Sequence, residues 1–244
     1  MSLQAKSIYR SIGKTQILQG IDVVIQPWKA TWIVWPNWCW KTSFLNCLNW
    51  FTKPNYGNIY YKEIDITHQS VEKRANQGIW RVFQSPWIIK SLSLYDNLAL
   101  AFVTKVSWRQ RILPTTMLPT WIKEKIYKIL QDVDLYNKRF EYAANLSWWQ
   151  MRLLEIARLY LQDMDIFLLD EPTAWVSPKL KTNVINLLNK ILQLWKTVVI
   201  VEHDFAFLSS FVDEFYVFDQ GKVVAKGDYE SIKNDTMVKE IYFW

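Results

Sequence analysis

Hydrophobic spacing along the chain switches repeatedly between a period of two and a period near four. "GIDVVIQP", from Gly20, alternates apolar and polar residues and predicts a half-buried strand; "TWIVW", Thr31 to Trp35, is a continuous apolar run expected of a strand covered on both faces. Gly13 and Gly20 read as turns that break residues 1–34 into short strands. "SFLNCLNW", from Ser43, has helical spacing, so the order here is strand, loop, helix. "NIYYKEIDI" predicts a second strand pair, "SVEKRANQ" a helix, and "IWRVFQ" a strand ending in Gln84. The middle of the chain reads as helical in "LYDNLALAF" and "IKEKIYKILQDVDL", with a polar, proline-containing connection at "PTTMLPT".

From Gln150 the alternation sharpens: the helix "QMRLLEIARLYLQ", the strand "DIFLLD", the helix "KLKTNVINLLNKILQL", the strand "KTVVIVEH", the helix "DFAFLSSF" and the strand "EFYVFDQ". Strands alternating with helices imply an α/β fold around a mostly parallel sheet, whose ligands sit at the carboxyl ends of the strands. No repeat or low-complexity tract divides the 244 residues, so one unit spanning 1–244 is expected, with an inserted helical lobe from about Leu94 to Leu146.

Charge and cysteine content narrow the function classes. The net charge of +6 comes from dispersed Lys and Arg with no nucleic-acid-binding signature, so a basic solvated surface explains it and no nucleic-acid partner is expected. Cys39 and Cys47 have no matching pair elsewhere, which suggests neither a disulfide framework nor a zinc site and fits a reducing cytosol. No segment has a signal-peptide core or the roughly 18 to 20 apolar residues needed to span a bilayer.

Candidate chemistry falls at the predicted strand ends. "WPNWCWKTS", Trp35 to Ser43, has the frame of a phosphate-binding loop, in which backbone N–H groups wrap phosphates, a Lys adds a point charge and a hydroxyl residue binds Mg²⁺. Lys41 and Thr42 suit the last two roles, but Trp35 and Trp40 stand where the frame needs glycine. "IFLLDEP" delivers two adjacent carboxylates: Asp170 is placed to hold Mg²⁺, directly or through water, and Glu171 to orient or deprotonate an attacking water. His203 and Gln84 end two further strands.

Together, "WPNWCWKTS", "VFQ", "LSWWQ", "LLDEP" and "VEHD" resemble, in order and spacing, the Walker A, Q-loop, LSGGQ signature, Walker B and H-loop of the ATP-binding subunits of ABC transporters. The resemblance runs from about residue 2 to Trp244. It implies a P-loop NTPase (RecA-like) core with an N-terminal antiparallel β subdomain and an inserted α-helical subdomain near 94–162, and Mg²⁺ and ATP as cofactors. Within the Walker A frame, Trp35, Pro36, Asn37, Trp38, Cys39, Trp40, Lys41, Thr42 and Ser43 would line the nucleotide. Thr42, Gln84 and Asp170 would meet Mg²⁺, Glu171 would be the catalytic carboxylate, and His203 would contact the γ-phosphate. Gln84 would also couple the site to the membrane subunit, while Ser147, Trp148, Trp149 and Gln150 would serve the ATP of a second subunit. Implied partners are that second ATP-binding subunit, transmembrane permease subunits and a substrate-binding protein, with the chain peripheral on the cytoplasmic face of the membrane.

"LSWWQMRLLEIAR", "AWVSP" and the C-terminal "VKEIYFW" look most like the branched-chain amino acid and urea importer ATPases; the lipopolysaccharide-exporter ATPase is a near relative. Two departures are modest: the adenine-stacking aromatic is expected near Ile12, with Tyr9 as the nearby substitute, and the D-loop position usually filled by Asp is Ser177. The third is large. At Trp28, Trp32, Trp35, Trp38, Trp40, Trp50, Trp80, Trp87, Trp148, Trp149, Trp175, Trp195 and Trp244 the family pattern most often carries glycine, and the replacement never varies.

Indoles at 35, 38 and 40 would fill the phosphate nest with about 200 Å² of apolar surface per ring, and those at 148 and 149 would block the signature's backbone donors. Mutational decay would scatter many residue types and would not spare Lys41, Asp170, Glu171, His203 and Gln84. One uniform exchange points to a decoding rule: UGA, one base from the glycine codon GGA, is read as Gly in some lineages and as Trp under other code tables. The 15 Trp and 6 Gly together, 21 residues, are close to and slightly above the glycine share of about 7% usual in a globular chain, with Trp108 and Trp121 as further candidates. The rival is a catalytically dead pseudo-ATPase of the same fold. Tandem mass spectrometry of the native protein separates them: the tryptic peptide written "ATWIVWPNWCWK", Ala30 to Lys41, is expected to carry glycine at its four Trp positions, and intact Trp there would mean a closed nest.

Overall fold

The computed structural model describes residues 2–35, 41–102, 118–173, 178–202 and 211–242. The described residues form ten strands and eight α-helices, divided between two units.

The first unit comprises residues 1–82, 164–173 and 192–244 and holds both sheets. Strands β1 (Leu3–Ile12), β2 (Thr15–Ile25), β4 (Tyr56–Tyr61) and β5 (Ile64–Asp65) make an antiparallel sheet in the order β2-β1-β4-β5. Gly13 forms the hairpin turn as expected, but Gly20 lies inside β2 rather than at a break. The pairing steps from Ile8–Ile21 to Tyr9–Gln19, so Gly20, at φ +77°, is the extra residue of a bulge. A side chain there would begin 2.8 Å from the Tyr9 hydroxyl, which is why one long twisted hairpin is compatible with glycine at this point.

The larger sheet runs β10-β9-β3-β8-β7-β6, built from β3 (Ala30–Val34), β6 (Ile79–Val82), β7 (Ile166–Asp170), β8 (Thr197–Glu202), β9 (Glu214–Asp219) and β10 (Lys222–Gly227). All its pairings are parallel except the β9–β10 edge hairpin. β3, β7 and β8 are buried at every position, which explains their unbroken apolar runs. Helices α1 (Lys41–Asn49), α2 (Val71–Asn76), α7 (Tyr229–Asn234) and α8 (Thr236–Tyr242) complete this unit. The core joins the two sheets: Ile8, Ile21 and Ile59 pack in one cluster with Phe44, Leu48, Leu168 and Phe218.

The second unit, residues 83–163 and 174–191, is helical. It holds α3 (Leu94–Ala99), α4 (Thr120–Asp132), α5 (Trp148–Leu161) and most of α6 (Pro178–Gln193). α4 buries Ile122, Ile126, Ile129 and Leu130, the one-sided stripe its spacing predicts. The expected helix "DFAFLSSF" lies largely outside the described residues.

Three tryptophans sit in the left-handed region: Trp28 at φ +63°, Trp50 at +68° and Trp195 at +58°. Trp50 and Trp195 follow directly on α1 and close on α6, with their N–H groups bonded back to Cys47 O and Leu192 O; this is the helix-ending position that glycine normally fills. A bulky side chain there is an outlier costing about 1–2 kcal/mol. All three are positions where the sequence pattern calls for glycine. The exposed rings of Trp28 and Trp195 meet edge to face at 5.7 Å, a contact worth about 1 kcal/mol. Each single change, Trp28→Gly or Trp195→Gly, therefore relieves one strained residue and loses the ring pair, for little net effect. The double variant relieves both and loses the pair once, for an expected gain of about 2 kcal/mol in urea unfolding. A double variant less stable than the parent would refute this.

Candidate functional site

Strand register builds the site. Val34 of β3 faces Glu202 of β8, Asp170 of β7 faces Val201, and Val82 of β6 faces Leu169, so the carboxyl ends of four neighbouring parallel strands finish level. From that edge β3 runs through residues 35–40 into the N-terminus of α1, whose first turn carries no acidic residue. Unpaired backbone N–H groups and the helix dipole suit such a terminus to an anion.

Asp170 is 1% exposed at the end of β7. Its Oδ2 accepts from Arg81 Nη2 at 2.9 Å, and Arg81 Nη1 donates to Asn46 Oδ1. Burial pushes the Asp170 carboxyl above the ordinary carboxylate range; the Arg81 guanidinium and the nearby Thr42 hydroxyl oppose that shift, and Glu171 adds to it. Burial likewise pulls Arg81 down while Asp170 holds it up. Asp170 Oδ1 is buried and has no partner at full hydrogen-bond geometry, while the Thr42 hydroxyl lies close enough to the carboxylate to interact with it. An orphaned carboxylate oxygen beside a hydroxyl and a second carboxylate is a hard oxygen set that fits Mg²⁺, which takes only one or two protein ligands when phosphates and water supply the rest. The described residues contain no cluster of three or more His, Cys, Asp or Glu.

Glu171 is half-buried and adopts φ +46°, with its N–H donated to Val201 O at 2.9 Å. A strained non-glycine residue next to the metal-competent carboxylate marks a side chain aimed by its backbone. The turn after it is held by Glu202, 1% exposed, whose Oε1 accepts from Thr173 N at 2.8 Å and from Thr173 Oγ1 at 2.6 Å.

The structure corrects several expectations. Trp35 does not turn its ring into the loop: it is 2% exposed and packs on Phe218, ring centres 4.8 Å apart. Trp32 is likewise seated in the core, its Nε1 donating to Glu202 O at 2.9 Å. β8 is described as far as Glu202, so its expected last residue, His203, is outside the described part. β6 ends at Val82 rather than Gln84, because the carbonyls of Phe83 and Gln84 leave the sheet ladder and accept from Arg152. Pro36, Asn37, Trp38, Cys39, Trp40, Ser177 and His203, and the side chain of Lys41, lie outside the described residues. Ser43 follows Thr42 in the first turn of α1. Tyr9 is partly exposed on β1 and meets Tyr56 edge on, and Ile12 is exposed at the end of the same strand.

In the second unit, Gln84 is exposed. Ser147 caps α5 through a reciprocal box with Gln150, so the helix begins at Trp148, two residues earlier than its spacing suggests. Trp148 and Trp149 are half-buried in its first turn, the Trp148 ring lying 5.4 Å from the Arg152 guanidinium. The same face of α5 grips the chain after β6: Arg152 donates to Phe83 O at 2.8 Å, Glu155 accepts from Trp87 N at 2.8 Å, and Arg158 donates to Trp87 O at 2.7 Å.

Sequence reasoning passed over Arg81, Asn46, Glu202 and Thr173. The available signal was a charge inside an apolar strand, Arg81 in "IWRVF" and Glu202 in "VVIVEH". Such a charge is buried only with a partner, though the partner's identity is not local information.

Comparison with known proteins gives consistent matches. The family model described as ABC transporter matches residues 18–174. The probable branched-chain amino acid transport ATP-binding protein LivG of Methanocaldococcus jannaschii is 29% identical over 250 residues, covering 98% of this chain and 96% of the relative. The lipopolysaccharide export system ATP-binding protein LptB of Acidithiobacillus ferridurans is 25% identical over 240 residues, covering 98% and 95%. Among solved structures, the ADP conformation of an ATP-binding cassette of an ABC transporter superposes with a TM-score of 0.82 at 27% identity, covering 100% of this chain and 99% of that one. The fold class is the one the sequence predicts: a P-loop NTPase core with an antiparallel β subdomain and an α-helical subdomain.

The Glu202–Thr173 contact carries its own expectation. Glu202→Ala strips two buried donors of their acceptor and should cost about 3 kcal/mol in urea unfolding; a loss under 1 kcal/mol would mean the turn after Glu171 is held otherwise.

Proposed function

The chain belongs to the ABC transporter family, and from that premise we propose that it is the ATP-binding and ATP-hydrolysing subunit of an amino acid-type importer, acting in the form that carries glycine at 35, 38, 40, 148 and 149. The observation that carries this proposal is the pair at the end of β7: a buried Asp170 with one unpartnered oxygen beside Thr42, followed by the backbone-strained Glu171. A Mg²⁺ ion at that pair would supply positive charge to neutralise and orient the phosphates. Thr42 and Asp170 would hold it, with Gln84 as the third residue toward the ion. The N–H groups opening α1 and the Lys41 ammonium bind the phosphates, Glu171 takes the proton of the attacking water, and His203 contacts the γ-phosphate. Ser147 to Gln150 act on the nucleotide of a second ATP-binding subunit.

The remaining partners are transmembrane permease subunits and, for an importer, a substrate-binding protein. No described helix is long and apolar enough to cross a membrane, which suits a subunit attached to the cytoplasmic face through its permease. Importer over exporter rests on likeness to a branched-chain amino acid transport protein at 29% identity, against 25% for a lipopolysaccharide export protein. Cargo is chosen by the membrane and binding subunits.

One observation favours the rival pseudo-ATPase. The rings of Trp32 and Trp35 are accommodated in the core, so the Trp-bearing chain retains its fold at those positions. Mass spectrometry of the native chain separates the two, and hydrolysis tests the ATPase assignment of the glycine form. The glycine form should hydrolyse ATP only with Mg²⁺, and Glu171→Gln should slow it about a hundredfold or more while ATP binding persists. A glycine form that cannot hydrolyse ATP even with its membrane partners would sink the ATPase assignment.

A further inference from the structure

Arg81 lies on β6 between two elements that carry the candidate metal site. Its side chain is 1% exposed, as is that of Asp170. A guanidinium is a rigid planar fork, and both ends of this one are engaged: Nη2 on Asp170 Oδ2 at 2.9 Å, Nη1 on Asn46 Oδ1. Asn46 sits one helical turn after Thr42 on α1, so the two side chains share a face. The fork therefore fixes the end of β7 and the Thr42 face of α1 with respect to each other.

Its second effect is on the carboxylate. With one lone pair of Oδ2 taken by the guanidinium, Oδ1, the buried atom left without a hydrogen-bond partner, is the oxygen more open to a cation. Charge neutralisation would need only the Arg81–Asp170 contact. The bond to Asn46 adds nothing to the charge balance, yet it gives the guanidinium a second point of attachment.

We infer that Arg81, anchored by Asn46, is a positioning residue for the divalent cation: it fixes the Asp170 carboxylate and leaves Oδ1 for the ion that the Thr42 hydroxyl also meets. The inference rests on the nucleotide site proposed above. It assigns Arg81 no contact with substrate.

The test uses the full chain in its glycine form with Glu171→Gln, so that ATP is bound and not consumed, and measures ATP affinity by equilibrium titration with and without Mg²⁺. Arg81→Lys keeps a charge but lacks the fork; Asn46→Leu keeps the ion pair and removes its anchor. Both variants should bind ATP without Mg²⁺ within about twofold of the parent, and both should lose about tenfold of the tightening that Mg²⁺ gives the parent. A role in folding alone would lower thermal stability and leave the Mg²⁺ effect unchanged. If Arg81→Lys does not fold, Asn46→Leu decides by the same ratio. Retention of the full Mg²⁺ effect in the folded variants overturns the role of Arg81 while leaving the nucleotide site intact. A parent that binds no ATP under either condition overturns the site and the role of Arg81 together.

Discussion

Parallel pairing of β3, β8, β7 and β6 levels four strand ends on one edge, and every group of the site in the first unit depends on that alignment. Asp170 and Glu171 leave β7, Glu202 closes β8, and β3 leads through the loop to α1. A slip of one residue in any pairing would move Asp170 or Glu202 to the opposite face of the sheet, since strand side chains alternate. The continuous apolar runs of β3, β7 and β8 make such a slip cheap in hydrophobic terms, because both faces are buried.

What fixes the register is then polar. The Arg81–Asp170 ion pair crosses from β6 to β7, the Glu202–Thr173 contact ties β8 to the turn after β7, and the Glu171 N–H reaches back to Val201 O. Each is fully or mostly buried, where a broken partner leaves a desolvated group costing several kcal/mol. Buried polar contacts thus specify an arrangement that burial alone leaves degenerate, and they do so at the residues that carry the chemistry. The second unit uses the same device on a different object: Arg152, Glu155 and Arg158, on one face of α5, hold the backbone of residues 83–87 and draw Gln84 out of the β6 ladder.

Tryptophan at glycine positions has unequal consequences. At Trp28, Trp50 and Trp195 the constraint is backbone conformation, and φ values of +58° to +68° are strained for any residue with a Cβ. At Trp32 and Trp35 the backbone is ordinary and the question is space, which the core provides beside Phe215 and Phe218. The strained positions are a turn and two helix ends, away from the strand edge that carries the site. A uniform substitution that is costly even at such scaffold positions is hard to reconcile with selection for a modified site, and fits a backbone shaped around glycine.

The sequence by itself determined the order of elements, the α/β class and the motif positions, because apolar periodicity and short motifs are local properties. "DIFLLD" and "TVVIVE" announce buried strands with acids at their ends, and the spacing of "LSWWQ" and "LLDEP" carries the family resemblance. It misjudged Gly20 and Gln84, where the outcome depended on a strand across the hairpin and on an arginine 68 residues away. Only the tertiary structure decided that Arg81 and Asn46 would engage Asp170, that Glu202 would hold Thr173, and that the Trp35 ring would turn into the core. Those pairings join residues distant in sequence, and burial selects them by requiring each desolvated polar group to find a partner and each large ring to find room.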